Sequence, residues 1–529
     1  MIQKQNISSS LFSHNSLKEE ISQEHDIDSK LQRRQINFSN EENFSKIKES
    51  AMTNELSLGQ NYRDRKFLQK RIKQNIYIEV PQNLKNKLTI STELFEQCQN
   101  MEIKISKFSE ILSAFNSQEI NKKYLGLVGI RKLLLLPSPP IQELLNVGII
   151  QELIPLLDNS PSEFQYEALW VLTMFSSGSS DQVNMIVCKG LIPKIVKFLD
   201  SQIEELKCQA IIIIGNLAND SGKIRDLLIK EKSFDKILTV LSSTNQNILI
   251  KNCIWAISCF FKVKPIPPYN LVKKSIKMIA RAIVILPGDT EFLTEAFFIL
   301  SYITEHYKDA VNDLFDLDII PNIIKYLDID VQYIQLSCLR VIGNIASGNA
   351  NQTQLLIDWK VFDYLKKTIM NPKNMIRKES AWILSNIAAG TQKQLEMLIS
   401  SNFLPILEHI IQIDELEIKK ECIWAVCNMT SVEKPEYMKK LLDQNILRII
   451  CNCLKMNDAK YLAVSLEALG NLLAFGKKNN PEGHNPIVIE FEKMGMCDIL
   501  EKLQFHPVEI VYNKALRLLE TYFETQFMD

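Results

Sequence analysis

Glycine is scarce in this chain, which has only 16 glycines among 529 residues. A nucleotide-binding α/β enzyme normally has more, because its turns and phosphate-binding loops need them. The sequence also lacks GxGxxG, GxxxxGK[ST], HExxH and GxSxG motifs, and its six histidines show no paired metal-ligand spacing. We therefore expect no enzyme, no metal site and no cofactor.

The formal net charge is -1, so the chain has no excess of positive charge with which to coat nucleic acid. No apolar stretch reaches the roughly 18 residues that a membrane span needs. The first residues, MIQKQNISSSLFSHNS, also lack the apolar core of a secretory signal. We expect neither nucleic acid nor a membrane among the partners.

The eleven cysteines form no CxxC pair, and most of them lie in apolar runs. That context is typical of reduced core cysteines in a cytosolic or nuclear protein, so we expect neither disulfides nor a zinc site. The cysteines in such runs include Cys208, Cys253, Cys259, Cys338, Cys422 and Cys427.

Residues 1–80 are polar, and their apolar residues are too scattered to form a core, which predicts a mostly disordered segment. Between Lys30 and Lys73 the chain has eleven Lys/Arg and five acids, a local charge of +6. The stretch 63–78 also fits a basic amphipathic helix with Phe67 and Ile72 among its apolar members. Two interpretations stay open at this point: a solvated tail, or a segment that folds on a partner.

The rest of the chain repeats itself. Segments such as ESAWILSNIAAG (379–390) and ECIWAVCNMTSV (421–432) recur, each followed by a turn and a Pro-opened apolar helix such as GLIPKIVKFLD (190–200). We call the fourth residue of each segment its wall position; successive wall positions lie 42 or 43 residues apart. They are Trp170, Ile212, Trp255, Phe298, Arg340, Trp382, Trp424 and Glu467.

A helical period of this length is typical of armadillo and HEAT repeats, in which each unit buries its apolar faces against its neighbours. The sequence therefore predicts an all-α, right-handed armadillo-repeat solenoid of about ten repeats over residues 81–527, preceded by the segment 1–80. We expect the segments that carry the wall positions to be the third helices of repeats 2 to 9, lining a concave groove.

An asparagine often follows four residues after the wall position, as in Trp382/Asn386 and Trp424/Asn428. Residues i and i+4 share a helical face, so stacked repeats would place a ladder of amides beside a ladder of indoles. An amide can bind both N–H and C=O of an extended peptide, and parallel indoles can hold a lysine stem. Asp220 and Glu421 are candidate acids for the lysine ammonium.

A second interpretation is structural. A tryptophan at helical spacing often belongs to the core, and an asparagine after it can bridge helix ends within its own repeat. A core, however, has no use for the same amide at the same offset in several repeats. This position, which we call the amide position, holds asparagine at Asn216, Asn344, Asn386, Asn428 and Asn471.

Several segments resemble importin-α, the adaptor for classical nuclear localisation signals: GNLANDS (215–221), VIGNIASGNANQTQ (341–354), IRKESAWILSNIAAG (376–390) and IKKECIWAVCNMTS (418–431). Residues 495–523 are similar to the last repeat of that family. The resemblance implies a nuclear import adaptor that binds basic nuclear localisation signal (NLS) peptides of cargo proteins. It also implies an importin-β carrier, an export receptor at the C-terminal repeats, and shuttling between cytoplasm and nucleus.

The basic N-terminal stretch looks like a degenerate importin-β-binding segment, in LQRRQINFS (31–39) and RDRKFLQKRIKQN (63–75). By this resemblance the carrier-binding residues are Arg33, Arg34, Arg63, Arg65, Lys66, Lys70, Arg71 and Lys73.

The family has a major peptide site on repeats 2–4 and a minor one on repeats 6–8, and the resemblance to them is uneven. At the major site the chain keeps Trp170, Gly178, Asn216, Asp220 and Trp255, but has Met174 and Cys259 for Asn, Ile212 for Trp, and Val183 for Thr. Tyr302, with Phe298, matches the fifth repeat. The minor site is nearly complete: Arg340, Asn344, Thr353, Lys378, Trp382, Asn386, Glu421, Trp424, Asn428 and Ser431.

Two other classes of function stay open from the sequence. One is an armadillo scaffold in signalling or adhesion, similar to β-catenin, that binds non-basic peptides; a basic groove would support it. The other is an enzyme built on a solenoid, which an unexpected pocket or cofactor would support. The acidic candidates beside the Trp/Asn pairs favour the import adaptor.

Overall fold

The structure is a computed structural model that describes residues 98, 101, 103–158, 160–481 and 483–523. This part of the chain contains α-helices and short 3-10 helices and no strand, so the all-α armadillo fold that the repeat period predicts is confirmed. The described residues fall into two compact units, divided between Ile303 and Thr304.

The first unit contains the third helices of repeats 2 to 4, at Ser162–Ser176, Glu204–Ala218 and Asn247–Lys262, and most of the third helix of repeat 5, Thr290–His306, whose last three residues fall in the second unit. The first three of these pack against one another in chain order, and Ile120–Leu134 packs against the first of them. The other helices of this unit are Phe108–Phe115, Ile141–Asn146, Ile149–Asp158, Ser180–Cys188, Ile192–Lys197, Gly222–Lys230, Ser233–Ser243 and Tyr269–Ile285, with 3-10 turns at Ile105–Lys107 and Phe198–Asp200.

The second unit contains the third helices of repeats 6 to 10, at Gln332–Ala346, Asn374–Ala388, Leu416–Met429, Ala459–Asn479 and Glu509–Tyr522. Each packs against the next. The other helices of this unit are Asp309–Asp316, Ile320–Lys325, Ala350–Asp358, Val361–Thr368, Gln392–Ser400, Leu404–Ile413, Pro435–Asp443, Ile446–Cys453, Pro486–Lys493 and Cys497–Leu503, with a 3-10 turn at Tyr326–Asp328.

The third helices are buried on most of their surface because neighbouring repeats cover them on both sides. In Glu204–Ala218, for example, Ile211, Ile213 and Ile214 have no exposed surface. Cys253, Cys338 and Cys422 lie in this core, as their apolar context predicts. A helix enclosed in this way can present only a narrow stripe to a ligand.

In the described part of the chain, the turn before the second helix uses left-handed backbone in eight repeats, although not in repeat 5. Only three of these turn residues are glycines, although L side chains adopt positive φ at a cost of about 1–2 kcal/mol. Proline then opens several of the second helices, including Ile192–Lys197 and Leu404–Ile413, as the sequence predicts. The left-handed residues are Gly148, Gly190, Lys232, Asp318, Lys360, Asn402, Asn445 and Gly495.

Candidate peptide-binding ladders

The sequence predicts one peptide site in each half of the chain, and the wall and amide positions of the two sites fall in different units. We call Trp170, Met174, Ile212, Asn216, Trp255 and Cys259 the N-terminal ladder, which lies in the first unit. We call Arg340, Asn344, Trp382, Asn386, Trp424 and Asn428 the C-terminal ladder, which lies in the second unit.

The indoles of the N-terminal ladder are almost fully buried. Trp170 is 2% exposed, and its Nε1 donates a hydrogen bond to the hydroxyl of Tyr166 at 3.2 Å. Trp255 is 5% exposed. The third wall of this ladder is the aliphatic Ile212, which is 6% exposed. The first unit therefore offers little aromatic surface at these positions.

The indoles of the C-terminal ladder are more open. Trp382 and Trp424 are both half-buried, whereas Ile383, Leu384 and Ile423, beside them in the same helices, have no exposed surface. Aromatic faces that keep contact with solvent beside a closed aliphatic core are available for a cation or an aliphatic stem.

Tyr461, on the third helix of repeat 9, extends the C-terminal aromatic surface and was missed by the sequence pattern. Its ring meets that of Trp424 edge-on, at a centroid distance of 6.4 Å and an angle of 70°. The pattern considers only the wall position and the amide position four residues after it. Tyr461 stands six residues before the wall position, Glu467, and therefore lies outside the pattern.

The glycine before Asn216 and the glycine before Asn344 each support the wall of the next repeat. A Cβ atom at Gly215 would come within 2.4 Å of the Trp255 ring, and one at Gly343 within 2.0 Å of the Trp382 ring. These two Gly-Asn pairs thus have two functions. The glycine allows the next indole to approach the helix backbone, and the asparagine remains beside it.

Three asparagines at amide positions are held by a hydroxyl group of the preceding repeat. Nδ2 of Asn216 donates to Oγ of Ser176 at 3.0 Å, and Nδ2 of Asn344 donates to Oγ1 of Thr304 at 3.0 Å. Asn471 donates to Thr430 in the same way, at 3.1 Å. The bridge connects neighbouring repeats rather than the ends of one repeat, and a single bond leaves an amide with further donor and acceptor capacity.

The corresponding hydroxyl is absent for the other two amide-position asparagines, Asn386 and Asn428. Ala346 and Ala388 stand at the places equivalent to Thr304 in the repeats that precede Asn386 and Asn428. An alanine side chain accepts no hydrogen bond, so these two amides are not oriented by that bond.

The two candidate acids differ in depth. Asp220 is half-buried, and its Oδ1 accepts a hydrogen bond from Oγ of Ser180 at 2.7 Å. Glu421 is 6% exposed, and its Oε2 accepts from Oγ of Ser385 at 3.1 Å. Glu421 thus lies within the packed face, three residues before Trp424, rather than on its rim.

Glu379 is a further acid that the sequence analysis did not single out. It lies three residues before Trp382, as Glu421 does before Trp424, and this repeated offset is the signal that could have found it. Burial raises the pKa of its carboxyl group, while Arg340, whose Nε donates to Oε1 at 3.2 Å, lowers it. Arg340 also lies 3.5 Å from Oε2 of Glu305, which is on the surface.

The remaining candidates of the second unit serve mainly local structure in the free protein. Thr353 is buried, and its hydroxyl donates to the carbonyl groups of Ala346 and Asn349 at 3.3 and 3.2 Å. Lys378 pairs with Glu417 at 3.6 Å. Ser431 is exposed, and its hydroxyl donates to the carbonyl of its own turn at 2.8 Å.

Two other candidates of the first unit lie in crowded surroundings. Gly178 lies so close to the side chain of Gln182 that a Cβ atom there would come within 1.6 Å of Oε1. Tyr302 stacks on Phe261 with centroids 5.9 Å apart, and it is tilted against Phe298 at 6.4 Å. Val183, in the place of the expected threonine, is 1% exposed.

The carrier-binding candidates, from Arg33 to Lys73, lie outside the described residues. Among the residues that the structure does describe, no group of His, Cys, Asp and Glu side chains is arranged to hold a metal ion. No helix in that part of the chain has the length and apolarity to cross a membrane.

Comparison with known proteins identifies the repeats. The family model of the armadillo/beta-catenin-like repeat matches residues 137–173 and 391–431, and the atypical Arm repeat matches residues 485–527. Among solved structures, the crystal structure of an engineered protein is similar in fold, with a TM-score of 0.63 and 21% identity. That likeness covers 78% of this chain and 97% of the engineered protein.

Relatives in curated sequences point to one family. Importin subunit alpha-1b of Oryza sativa subsp. japonica is 33% identical over 398 residues, which cover 74% of each chain. Importin subunit alpha-3 of Arabidopsis thaliana is 32% identical, over 74% of this chain and 75% of the relative. Importin subunit alpha-B of Dictyostelium discoideum is 31% identical, over 80% and 83%. This identity across most of both sequences, together with the armadillo repeats, shows that the chain belongs to the importin-α family.

Proposed function

We propose that this protein is a nuclear import adaptor, which binds basic NLS peptides of cargo proteins on its Trp/Asn ladders and links them to an importin-β carrier. Membership of the importin-α family supports the adaptor role. The role requires binding rather than catalysis, and it implies that the protein moves between cytoplasm and nucleus.

The observation that carries the proposal is the partial solvent exposure of Trp382 and Trp424. Two indoles that served only the core would be buried like Ile383 and Leu384, which have no exposed surface. Instead both remain half-buried, and Glu421 stands three residues before Trp424. The acid at the same offset from Trp382, Glu379, already pairs with the chain's own Arg340. Aromatic faces next to carboxylates suit the aliphatic stem and the ammonium group of a lysine.

The ladder amides supply the part of recognition that does not depend on the cargo sequence. Asn344 is oriented by Thr304, and its amide can pair with the backbone of an extended peptide. Because each such hydrogen bond contributes a net of about 0.5–1.5 kcal/mol, a series of amides would hold the peptide in register. The cation sites would then select lysine and arginine at particular positions.

The carrier and the export receptor would bind different parts of the chain. We propose that residues 1–80 form the carrier-binding segment, that residues 81–527 form the armadillo-repeat domain, and that an export receptor binds the C-terminal repeats. The local charge of +6 between Lys30 and Lys73 supports an acidic carrier surface as the partner of the first segment.

A fluorescence-polarisation titration tests cargo binding. A labelled lysine-rich monopartite peptide should bind the full-length protein, and its affinity should fall as salt rises because the contacts include ion pairs. The matched control is the same peptide with each lysine replaced by glutamate, which should not bind. Equal binding of the two peptides would contradict the proposal and favour a scaffold for non-basic peptides.

A further inference from the structure

Lys262 lies in a setting that resembles a ligand site. It is the last residue of the helix Asn247–Lys262, and its ammonium group lies 5.9 Å from the centroid of the Phe298 ring. Its Nζ is 3.6 Å from Oε2 of Glu295, and its side chain is only 8% exposed. This lysine is thus enclosed and interacts with both an aromatic ring and a carboxylate.

The carboxylate of this site is fixed by the same neighbouring helix. Oε2 of Glu295 also accepts a hydrogen bond from Oγ of Ser258, at 2.9 Å. Ser258 and Lys262 belong to repeat 4, whereas Glu295 and Phe298 belong to repeat 5. The contact therefore spans two neighbouring repeats of the first unit.

The positions of Glu295 and Phe298 match those of the proposed cargo sites. Phe298 is the wall residue of repeat 5, and Glu295 stands three residues before it, as Glu421 stands before Trp424. Ser385 donates to Glu421 in repeat 8 as Ser258 donates to Glu295. Repeat 5 thus contains the aromatic wall and the acid of a lysine site, and the lysine in it belongs to the protein.

We propose that Lys262 is an internal ligand of the cation site in repeat 5 and excludes cargo lysine from it, which makes Lys262 a specificity-determining residue. This inference rests on the proposed function, because it assumes that wall and acid residues of other repeats bind cargo lysines. Its consequence is that a peptide on the first unit meets a blocked position at repeat 5.

Arg131 forms a second such arrangement in the same unit. Its guanidinium lies 5.7 Å from the centroid of the Trp170 ring, and its Nε is 2.5 Å from Oε2 of Glu167, which is 1% exposed. Glu167 again stands three residues before the wall residue. With repeats 2 and 5 occupied by the chain's own cations, only the walls at Ile212 and Trp255 remain for cargo on this unit, so the basic run that it accepts is short.

The test compares the wild type with Lys262→Met, which keeps the aliphatic stem and removes the ammonium group. The control is Lys236→Met, since Lys236 forms an ion pair with Asp200 at 2.5 Å elsewhere on the same unit and carries the same charge. The probes are labelled peptides of equal length. The parent peptide carries one basic run with alanines on both sides, and in each further peptide a lysine replaces one of these alanines. Circular dichroism establishes that each variant is folded, and Lys262→Gln provides a second variant if the methionine variant is not.

We expect Lys262→Met to bind one of these peptides about tenfold more tightly than the alanine parent, because Glu295 and Phe298 then accept the added lysine. The wild type and Lys236→Met should show no such gain, and the double variant Lys262→Met/Glu295→Gln should lose it. The inference is wrong if no added lysine raises the affinity of Lys262→Met for the peptide. It is also wrong if an added lysine raises the affinity of the wild type equally. A wild type that binds the parent basic peptide no better than its glutamate version would instead refute the proposed function.

Discussion

The indole of Trp382 lies directly on the helix backbone of Gly343, so closely that a Cβ atom there would come within 2.0 Å of the ring. Gly215 and Trp255 form the same contact in the other unit. The distance explains why a chain so poor in glycine keeps one before Asn216 and Asn344. The walls at Trp255 and Trp382 thus depend on the absence of a side chain in the preceding repeat.

Replacing Gly343 by alanine should therefore displace Trp382. Overpacking costs about 1–3 kcal/mol, which exceeds the about 0.5–1 kcal/mol that alanine gains over glycine within a helix. We expect a lower free energy of unfolding in a urea titration and weaker binding of a lysine-rich peptide. Gly483→Ala is the control, since a Cβ atom there meets nothing within 4 Å. Unchanged stability and binding in Gly343→Ala would contradict this packing.

The C-terminal ladder should contribute more to the binding of a short basic peptide than the N-terminal one. It keeps asparagine at all three amide positions, whereas Met174 and Cys259 replace two of three in the N-terminal ladder. Each missing amide removes hydrogen bonds worth about 0.5–1.5 kcal/mol. Calorimetry with one monopartite peptide should show a larger loss for Trp382→Ala/Trp424→Ala than for Trp170→Ala/Trp255→Ala. The opposite order would assign the main site to the first unit.

Charge reversal at Asp220 should weaken the binding of a basic peptide by more than the about 0.5–1 kcal/mol of an exposed ion pair. Asp220 is half-buried and is oriented by Ser180, so a lysine in its place would repel a cargo cation. Fluorescence polarisation measures the effect. The matched control is Asp200→Lys, which makes the same charge change at an exposed ion pair of the same unit. Equal affinities of the two variants would remove Asp220 from the site.

Deletion of residues 1–80 should abolish the binding of importin-β and leave the armadillo repeats folded. The deleted segment carries the +6 charge between Lys30 and Lys73, so the binding of the full chain should weaken steeply with salt. Pull-down of the carrier at several salt concentrations measures both effects. Carrier binding that survives the deletion would place the carrier site elsewhere in the chain.

Glycine in the left-handed turn before a second helix should stabilise the protein. Lys360 has a φ of 61° and is exposed, so Lys360→Gly removes steric strain and should raise the free energy of unfolding by about 0.5–1 kcal/mol. Asn445, at 62°, is the control, because asparagine tolerates this conformation better and Asn445→Gly should gain less. Equal gains, measured by thermal denaturation, would mean that the lysine is not strained.

Much of the architecture could be predicted from the spacing of a few residue types. The period of 42 or 43 residues between wall positions predicts the third helices, and the segment 379–390 lies mostly within the observed helix Asn374–Ala388. The family resemblance, drawn from four repeat segments and the last repeat, is confirmed by the importin-α relatives. The role of each wall residue could not be predicted in the same way. Trp170 and Trp382 occupy the same place in the repeat, yet Trp170 is only 2% exposed whereas Trp382 is half-buried.

The sequence by itself determined the all-α repeat fold, the membership of the importin-α family and the positions at which cargo contacts are to be sought. Such information is local and periodic, because each helix buries the same face in every repeat. Only the tertiary structure decided which of these positions are open, since several walls are contacted by a residue of the preceding repeat. Arg131 lies over Trp170, Gly343 lies under Trp382, and Lys262 occupies the site of Glu295 and Phe298. Each of these contacts joins residues 33 to 39 positions apart, and their chemistry differs from repeat to repeat while the helical period stays the same.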